Sequence, residues 1–313
     1  MLLNVILLIV GFILLIKGAD VFVEGASKVA ALLHIPQIVI GLTIVAFGTS
    51  APEAAVSIAS SYQGTAGIAI GNIIGSNIAN ILLILGVAGM IGDLVVKKNT
   101  FFIETPFVLV ITIALLFLGY TDRNISQLDG IILWAFFLLF LFYLYRLTKR
   151  GDDSAIDDVP ELEEDDRLWK LILMIVLGII CVVVGSRVTV DAASQIAESF
   201  GVSDRIIGLT IVSIGTSLPE LVTSVSASLK GRNDIAIGNI IGSNIFNILF
   251  VLGTASLVAP HGIPFASGFL EDGVIAIGAV VMFMLFVGRD MKLKKYGAFI
   301  MLISYVCYLV YIL

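Results

Sequence analysis

This chain is short of charge, of histidine, of cysteine and of proline, and each shortage excludes something. Of its 313 residues only 13% are charged while 59% are hydrophobic, and the mean hydropathy is +1.09. Too little polar surface remains to coat a water-soluble globule, so the composition reads as a polytopic membrane protein embedded in a lipid bilayer. The two cysteines, Cys181 and Cys307, lie inside apolar runs and imply no disulfide framework. The two histidines, His34 and His261, fall near the ends of such runs, where an interfacial position accounts for them, and neither has neighbours suited to metal or nucleophilic work. The first sixteen residues lack a basic leader and an A-x-A cleavage site, so they read as a membrane span and not as a signal peptide. Nothing in this composition calls for a nucleic-acid partner, a bound cofactor or an obligate protein partner.

Ten apolar runs are long enough to cross a bilayer, which takes roughly 17 to 25 residues. They begin near Leu2, Ile38, Ile68, Phe102, Ile131, Leu168, Ile206, Ile235, Phe269 and Tyr296. The predicted fold is therefore an all-α membrane protein of ten transmembrane helices. The net charge of -6 is concentrated in one stretch, GDDSAIDDVPELEEDDR from Gly151 to Arg167. Its composition suits a solvated linker and lacks the loop spacing of an EF-hand. It divides the chain into a first five-helix unit (1–150), the linker (151–167) and a second five-helix unit (168–313). With the N-terminus outside, Lys28, Lys97, Lys98, Arg146, Lys230, Arg232, Lys292 and most other basic residues would face the cytoplasm, whereas only Arg123, Arg187 and Arg205 would fall outside. That asymmetry sets the expected orientation in the cell membrane and makes the linker cytoplasmic.

The two units are copies of each other. A shift of 167 residues, with no gap, aligns Ile40–Glu53 with Ile207–Glu220, differing only at Ala46/Ser213, Phe47/Ile214 and Ala51/Leu218. Ile68–Gly86 aligns with Ile235–Gly253, differing only at Ala79/Phe246, Leu83/Phe250 and Ile84/Val251. Five spans separate matching positions and five is odd, so the second copy must enter the membrane from the opposite side. Inverted repeats of this kind build many secondary transporters, with the substrate near the midplane between the copies.

With only seven prolines in the chain, two that recur at matching positions next to a glutamate stand out: FGTSAPEAAVS (Phe47–Ser57) and IGTSLPELVTS (Ile214–Ser224). Proline cannot donate to the helical ladder, so Pro52 should free the carbonyl of Gly48 and Pro219 that of Gly215. Freed carbonyls in hydrocarbon require something polar beside them. Glu53 supplies a negative charge there, with Thr49 and Ser50 on the same helical face, and Glu220, Thr216 and Ser217 repeat the arrangement. The partner motifs are AIGNIIGSNIANIL (Ala69–Leu82) and AIGNIIGSNIFNIL (Ala236–Leu249). On a helix Asn72, Ser76 and Asn80 share one face, as do Asn239, Ser243 and Asn247, while Gly71, Gly75, Gly238 and Gly242 would let another backbone approach closely.

All these donors are hard oxygens, and the motifs contain no histidine, cysteine or methionine. Such a set suits Ca²⁺ and Na⁺ and argues against zinc or copper. Two glutamates would neutralise one divalent ion, and intramembrane carboxylates are costly enough to mark a functional site. With two fixed negative charges, the site is balanced by one Ca²⁺ and overfilled by one charge with three Na⁺. It is then costly to cross the membrane empty and unfavourable to hold both loads, which gives obligatory exchange.

The paired GTSxPE and GNxxGSNxxN motifs resemble the two alpha-repeats of the cation/calcium exchanger superfamily, and specifically its prokaryotic sodium/calcium exchanger branch. The resemblance implies a central Ca²⁺ site made by Glu53 and Glu220 with the carbonyls of Thr49 and Thr216. It also implies flanking Na⁺ sites using Ser50, Ser217, Ser76, Ser243, Asn80 and Asn247, and the carbonyls at Ala46 and Ser213. Three Na⁺ would exchange for one Ca²⁺ by alternating access. Where certain relatives carry an aspartate in one copy, both Asn80 and Asn247 are amides here, which removes a charge.

Three rival readings remain. A Ca²⁺/H⁺ antiporter would use the same buried carboxylates with protons as counter-ion. An intramembrane enzyme with Ser50 or Ser217 as nucleophile lacks a histidine or lysine base in either motif, so no enzymatic activity is expected. A channel would pass current without a counter-ion.

Overall fold

The computed structural model describes residues 1–63, 67–150, 162, 166–200, 213–266 and 268–312. The chain is built of α1 (Leu2–Leu32), α2 (Gln37–Thr49), α3 (Ala51–Tyr62), α4 (Gly67–Ile91), α5 (Thr100–Asp122) and α6 (Gln127–Arg150). These are followed by α7 (Leu168–Ser199), α8 (Ser213–Thr216), α9 (Leu218–Leu229), α10 (Asn233–Val258), α11 (Gly268–Val287) and α12 (Lys295–Ile312). Among the described residues eight helices are long and apolar enough to cross a membrane. The pair α2 and α3, bent by 53° at Ser50, makes a ninth if it is one broken span. Of the run expected from Ile206, the first part lies outside the described residues, and only α8 and α9 represent it. The acidic linker likewise lies outside them apart from Leu162, Asp166 and Arg167.

Burial ranks the helices. In α10, 94% of the apolar window is buried inside the protein and in α4 78%, against 22–39% for the other long spans. The two GNxxGSNxxN helices are therefore the centre of the bundle, and the purely apolar helices form its rim. Exposed side chains such as Leu2, Ile6, Ile13, Phe117, Leu139 and Leu285 face outward from that rim, as lipid-facing surfaces do. The central helices cross near Asn77 and Asn244, which bond to each other. Asp234, at the start of α10, pairs at 2.6 Å with Lys97, just beyond the end of α4. Together these contacts run the two helices in opposite directions.

Glycine sets how closely the elements approach. A methyl group on Gly238 would come within 3.0 Å of the Gly41 Cα, and one on Gly242 within 2.7 Å of the Leu42 Cα, so α10 lies backbone to backbone on α2. The matching partners of Gly71 and Gly75, at positions 208 and 209, are outside the described residues. At 31 and 32 residues, α1 and α7 are about 46–48 Å long, more than the ~30 Å hydrocarbon core, so both must tilt. They cross through small residues at matching positions. Gly11 lies against Gly185 and Thr189, Gly18 against Gly178 and Cys181, and Phe22 fills the space over Gly178.

Two short ribbons that the apolar pattern does not announce tie the loops together. The strand β1 (Leu94–Val95) follows α4, β2 (Asn124–Ile125) precedes α6, β3 (Ile263–Pro264) precedes α11 and β4 (Lys292–Leu293) precedes α12. The ribbons pair Leu94 with Leu293 and Ile125 with Ile263, both antiparallel. Where the copies differ in sequence, packing differs as well. Phe246 and Phe250, in place of Ala79 and Leu83, stack on each other at 4.5 Å and meet Phe47, Trp134 and Phe137.

A side chain added where α1 and α7 touch has no room. Gly18→Val should destabilise the protein by about 1–3 kcal/mol through forced separation of the two backbones. Gly278→Ala, in the interior of α11 with no atom within 4 Å of the added methyl, should keep stability or raise it by up to about 1 kcal/mol. Thermal unfolding of the two variants in detergent measures the difference, and equal melting temperatures would refute the crossing.

Candidate cation site

The site forms where two broken helices meet two central ones. Ser50 separates α2 from α3 with φ −81° and ψ 7°, and Ser217 separates α8 from α9 with φ −88° and ψ 5°. Both serines occupy the bridge region of backbone space, between helix and turn. Two residues later comes the proline, at the second position of the new helix, where its missing N–H costs nothing. Glu53 and Glu220 follow in the first turn of α3 and α9. The exposed amides and dipole of a helix start favour negative charge there. The break at Ser50 and Ser217 thus agrees with the kink expected from Pro52 and Pro219, and it turns each glutamate into a first-turn residue.

Both carboxylates are buried, each 1% exposed, and they lie close enough to interact electrostatically. Among the described residues neither has a lysine, arginine or histidine within ion-pair distance. The carboxylate of one half is instead met by a hydroxyl of the other: Ser50 Oγ donates to Glu220 Oε1 at 2.8 Å, and Ser243 Oγ lies 3.5 Å from the same oxygen. Thr49 Oγ1 donates to Asn239 Oδ1 at 2.9 Å. The amide of Asn239 in turn holds the glutamate helix, donating to Ser224 Oγ at 2.9 Å and to the backbone oxygen of Glu220 at 3.3 Å. Asn72 does the same in the other copy, reaching Ser57 Oγ at 3.0 Å and the Glu53 backbone oxygen at 3.4 Å.

Between α4 and α10 lies a chain of four asparagines, in the order Asn80, Asn244, Asn77 and Asn247. Asn80 Nδ2 donates to Asn244 Oδ1 at 2.9 Å and Asn247 Nδ2 to Asn77 Oδ1 at 3.1 Å. Asn77 Nδ2 and Asn244 Nδ2 each donate to the other's backbone oxygen, both at 3.3 Å. A π-turn begins at Asn80 and another at Asn247, a helical irregularity that recurs at functional sites.

Several buried oxygens have no hydrogen-bond donor among the described residues: both carboxylate oxygens of Glu53, Glu220 Oε2, Ser217 Oγ, Asn80 Oδ1 and Asn247 Oδ1. Buried acceptors are normally satisfied, and an unpaired carboxylate in a low-dielectric interior must take up a cation or a proton. The cluster thus has the chemistry of a hard-cation site with two acids and neutral oxygens. Among the described residues no group of three or more His, Cys, Asp or Glu side chains comes together.

The sequence-predicted residues sort accordingly. Thr49, Ser50, Glu53, Asn80, Ser217, Glu220, Ser243 and Asn247 are buried; Thr49, Ser50, Asn80 and Asn247 bond across the two halves and Glu53 and Glu220 meet there by charge, whereas Ser243 reaches Glu220 within its own half. Ser76 is buried in α4 beside Asn77, and Thr216 closes the turn before Ser217. The Ala46 carbonyl accepts the Ser50 N–H at 3.0 Å. Ser213 opens α8, and its side chain is outside what is described. Sequence reasoning gave no role to Asn77 and Asn244, although both motifs spell them out next to the serines. The i, i+4 face that selected Asn72, Ser76 and Asn80 passes them by.

Comparison with known proteins gives the same picture over the whole length. The family described as sodium/calcium exchanger protein matches residues 3–146 and 170–313. The chain is 39% identical to the putative antiporter CaxA of Alkalimonas amylolytica over 98% of each chain. It is 32% identical to the sodium/calcium exchanger MaX1 of Methanosarcina acetivorans, over 98% of this chain and 97% of that one. Among solved structures it is similar to the sodium-calcium exchanger NCX_Mj soaked with zero Na⁺ and Ca²⁺, with a TM-score of 0.85 and 31% identity over 100% of this chain and 99% of that one. Its helices, its oxygen-lined site and these matches over both halves make this multi-pass membrane protein a member of the sodium/calcium exchanger family.

Proposed function

We propose that this protein is an antiporter that exchanges three Na⁺ for one Ca²⁺ across the cell membrane by alternating access between two inverted five-helix repeats. The observation that carries this reading is the pair of buried glutamates, Glu53 and Glu220, whose oxygens lack both a basic partner and, for three of the four, any donor. In this reading Ca²⁺ sits between the two carboxylates with the Thr49 and Thr216 carbonyls. The Na⁺ sites use Ser50, Ser76, Asn80, Ser217, Ser243 and Asn247 with the backbone oxygens of Ala46 and Ser213.

Inversion of the repeats is supported by hydrogen bonds that recur at the 167-residue offset in both directions, Asn77 to Asn244 and Asn244 to Asn77. The opposite run of α4 and α10 supports it too. The orientation with the N-terminus outside has support in the clustering of basic residues at one end. Lys28 pairs with Asp166 at 3.1 Å, Lys230 with Glu24 at 3.9 Å and Lys97 with Asp234 at 2.6 Å, while the β1·β4 ribbon brings Lys292 opposite Val95. Lysine-rich ends face the cytoplasm. Moving one net positive charge per cycle would couple exchange to voltage by about 2.3 kcal/mol per 100 mV.

The decisive test is Ca²⁺ flux into vesicles holding the purified protein. An imposed Na⁺ gradient with pH clamped should drive uptake, whereas uptake that answers only to a pH gradient would replace this reading by Ca²⁺/H⁺ exchange. Current with Ca²⁺ alone would indicate a channel.

Removing either acid should be nearly as harmful as removing both. Glu53→Gln and Glu220→Gln each delete half of the charge that balances Ca²⁺. Losing one partner of a buried charge pair costs about 3–5 kcal/mol, so Ca²⁺ affinity should fall by at least ~100-fold with the protein still folded. Wild-type flux in either variant would move the site elsewhere. Shortening the linker within 151–167 should leave transport within about twofold, since a solvated spacer carries no site chemistry; a large loss would make the segment a regulator.

A further inference from the structure

The reading above has Asn80 and Asn247 facing the cations, yet an amide has two unlike ends. Its oxygen attracts a cation and its NH₂ group repels one, and a half-turn of the side chain exchanges them. Something must decide which end faces the site. We propose that Asn77 and Asn244 are positioning residues that lock the Asn80 and Asn247 amides with their oxygens toward the transported cations.

The polarity can be followed from the backbone outward. A peptide carbonyl can only accept, so the Asn244 carbonyl fixes Nδ2 as the end of Asn77 that faces it, and the Asn77 carbonyl does the same for Asn244. With Nδ2 turned to the backbone, each of these side chains presents its oxygen on the opposite side. The Asn77 oxygen takes Nδ2 of Asn247 at 3.1 Å and the Asn244 oxygen takes Nδ2 of Asn80 at 2.9 Å. With their donor ends held, Asn80 and Asn247 are left with Oδ1 turned away from Asn244 and Asn77, and these are two of the buried oxygens without a donor. All four side chains are at most 5% exposed, so water is not at hand to stabilise the flipped form. Each positioning residue belongs to one half and orients the site amide of the other, which makes the cation site depend on contact between the halves.

This inference rests on the antiport reading, and the test separates the two. Half-saturating Ca²⁺ and Na⁺ concentrations are measured by flux in vesicles for the wild type, Asn77→Ala, Asn247→Asp and the double variant. Aspartate presents oxygen at both ends and needs no orienting. Asn77→Ala should raise half-saturation about tenfold in the Asn247 background, the size expected when a charge-facing hydrogen bond is lost. In the Asn247→Asp background the same change should cost less than about twofold. Equal losses in both backgrounds would reduce Asn77 to a packing role, and no loss in the Asn247 background would remove it altogether; either result overturns the proposal. Should Asn77→Ala fail to fold, the mirror cycle of Asn244→Ala with Asn80→Asp gives the same comparison. A wild type without Na⁺-driven uptake would instead overturn the antiport reading, and this proposal with it.

Discussion

Two carboxylates that the protein does not neutralise are the constraint around which this molecule is arranged. In a bundle whose rim is apolar, Glu53 and Glu220 cannot be carried by solvent, and no basic side chain of the described residues meets them. What the fold provides is partial compensation. Each acid stands in the first turn of a helix created by a break at serine, and a hydroxyl from the opposite half reaches Glu220. This is enough to keep the site formed and too little to satisfy it. A site left short of positive charge in that way favours a cation strongly, and two acids with neutral oxygens around them match one Ca²⁺ or a larger number of Na⁺.

The two halves share the polar contacts of their asparagines and differ in the packing and hydroxyl contacts around them. Asn72 and Asn239 brace the two glutamate helices through equivalent bonds, and the four central asparagines form equivalent pairs. The bracing of the candidate site is thus duplicated. The departures lie around it: Phe246 and Phe250 build an aromatic cluster against α6 where the first copy has Ala79 and Leu83. Ser186 of α7 donates at 2.8 Å to the Gly215 carbonyl, the one Pro219 leaves without an amide, while Ala19 stands at the matching position of α1 and has no hydroxyl to give Gly48. Two copies of one unit therefore approach the same site with unequal bracing.

Much of this was legible in the residues because membrane chemistry makes polar positions conspicuous. Pro52 and Pro219 announced the breaks, and the glutamates beside them and the 167-residue identity pointed to the buried cluster in which residues of both halves meet. The π-turns at Asn80 and Asn247 were not legible, since they share the composition of an ordinary helix and arise from packing. Nor were the roles of Asn77 and Asn244, which depend on a partner 167 residues away. The two-residue ribbons carry no alternation that a pattern could detect. Gly238 and Gly242 behaved as close-approach residues, but that property says nothing of which backbone they would meet, and only the structure gives Gly41 and Leu42.

The central claim is that one divalent cation sits between Glu53 and Glu220. Crystals grown without Ca²⁺ and soaked in Sr²⁺ at low Na⁺ would test it by anomalous scattering. A single strong peak within coordination distance of both carboxylates, fading as Na⁺ is raised, is the expected result. A peak bound to only one of them, or none between them at saturating Sr²⁺, would contradict it.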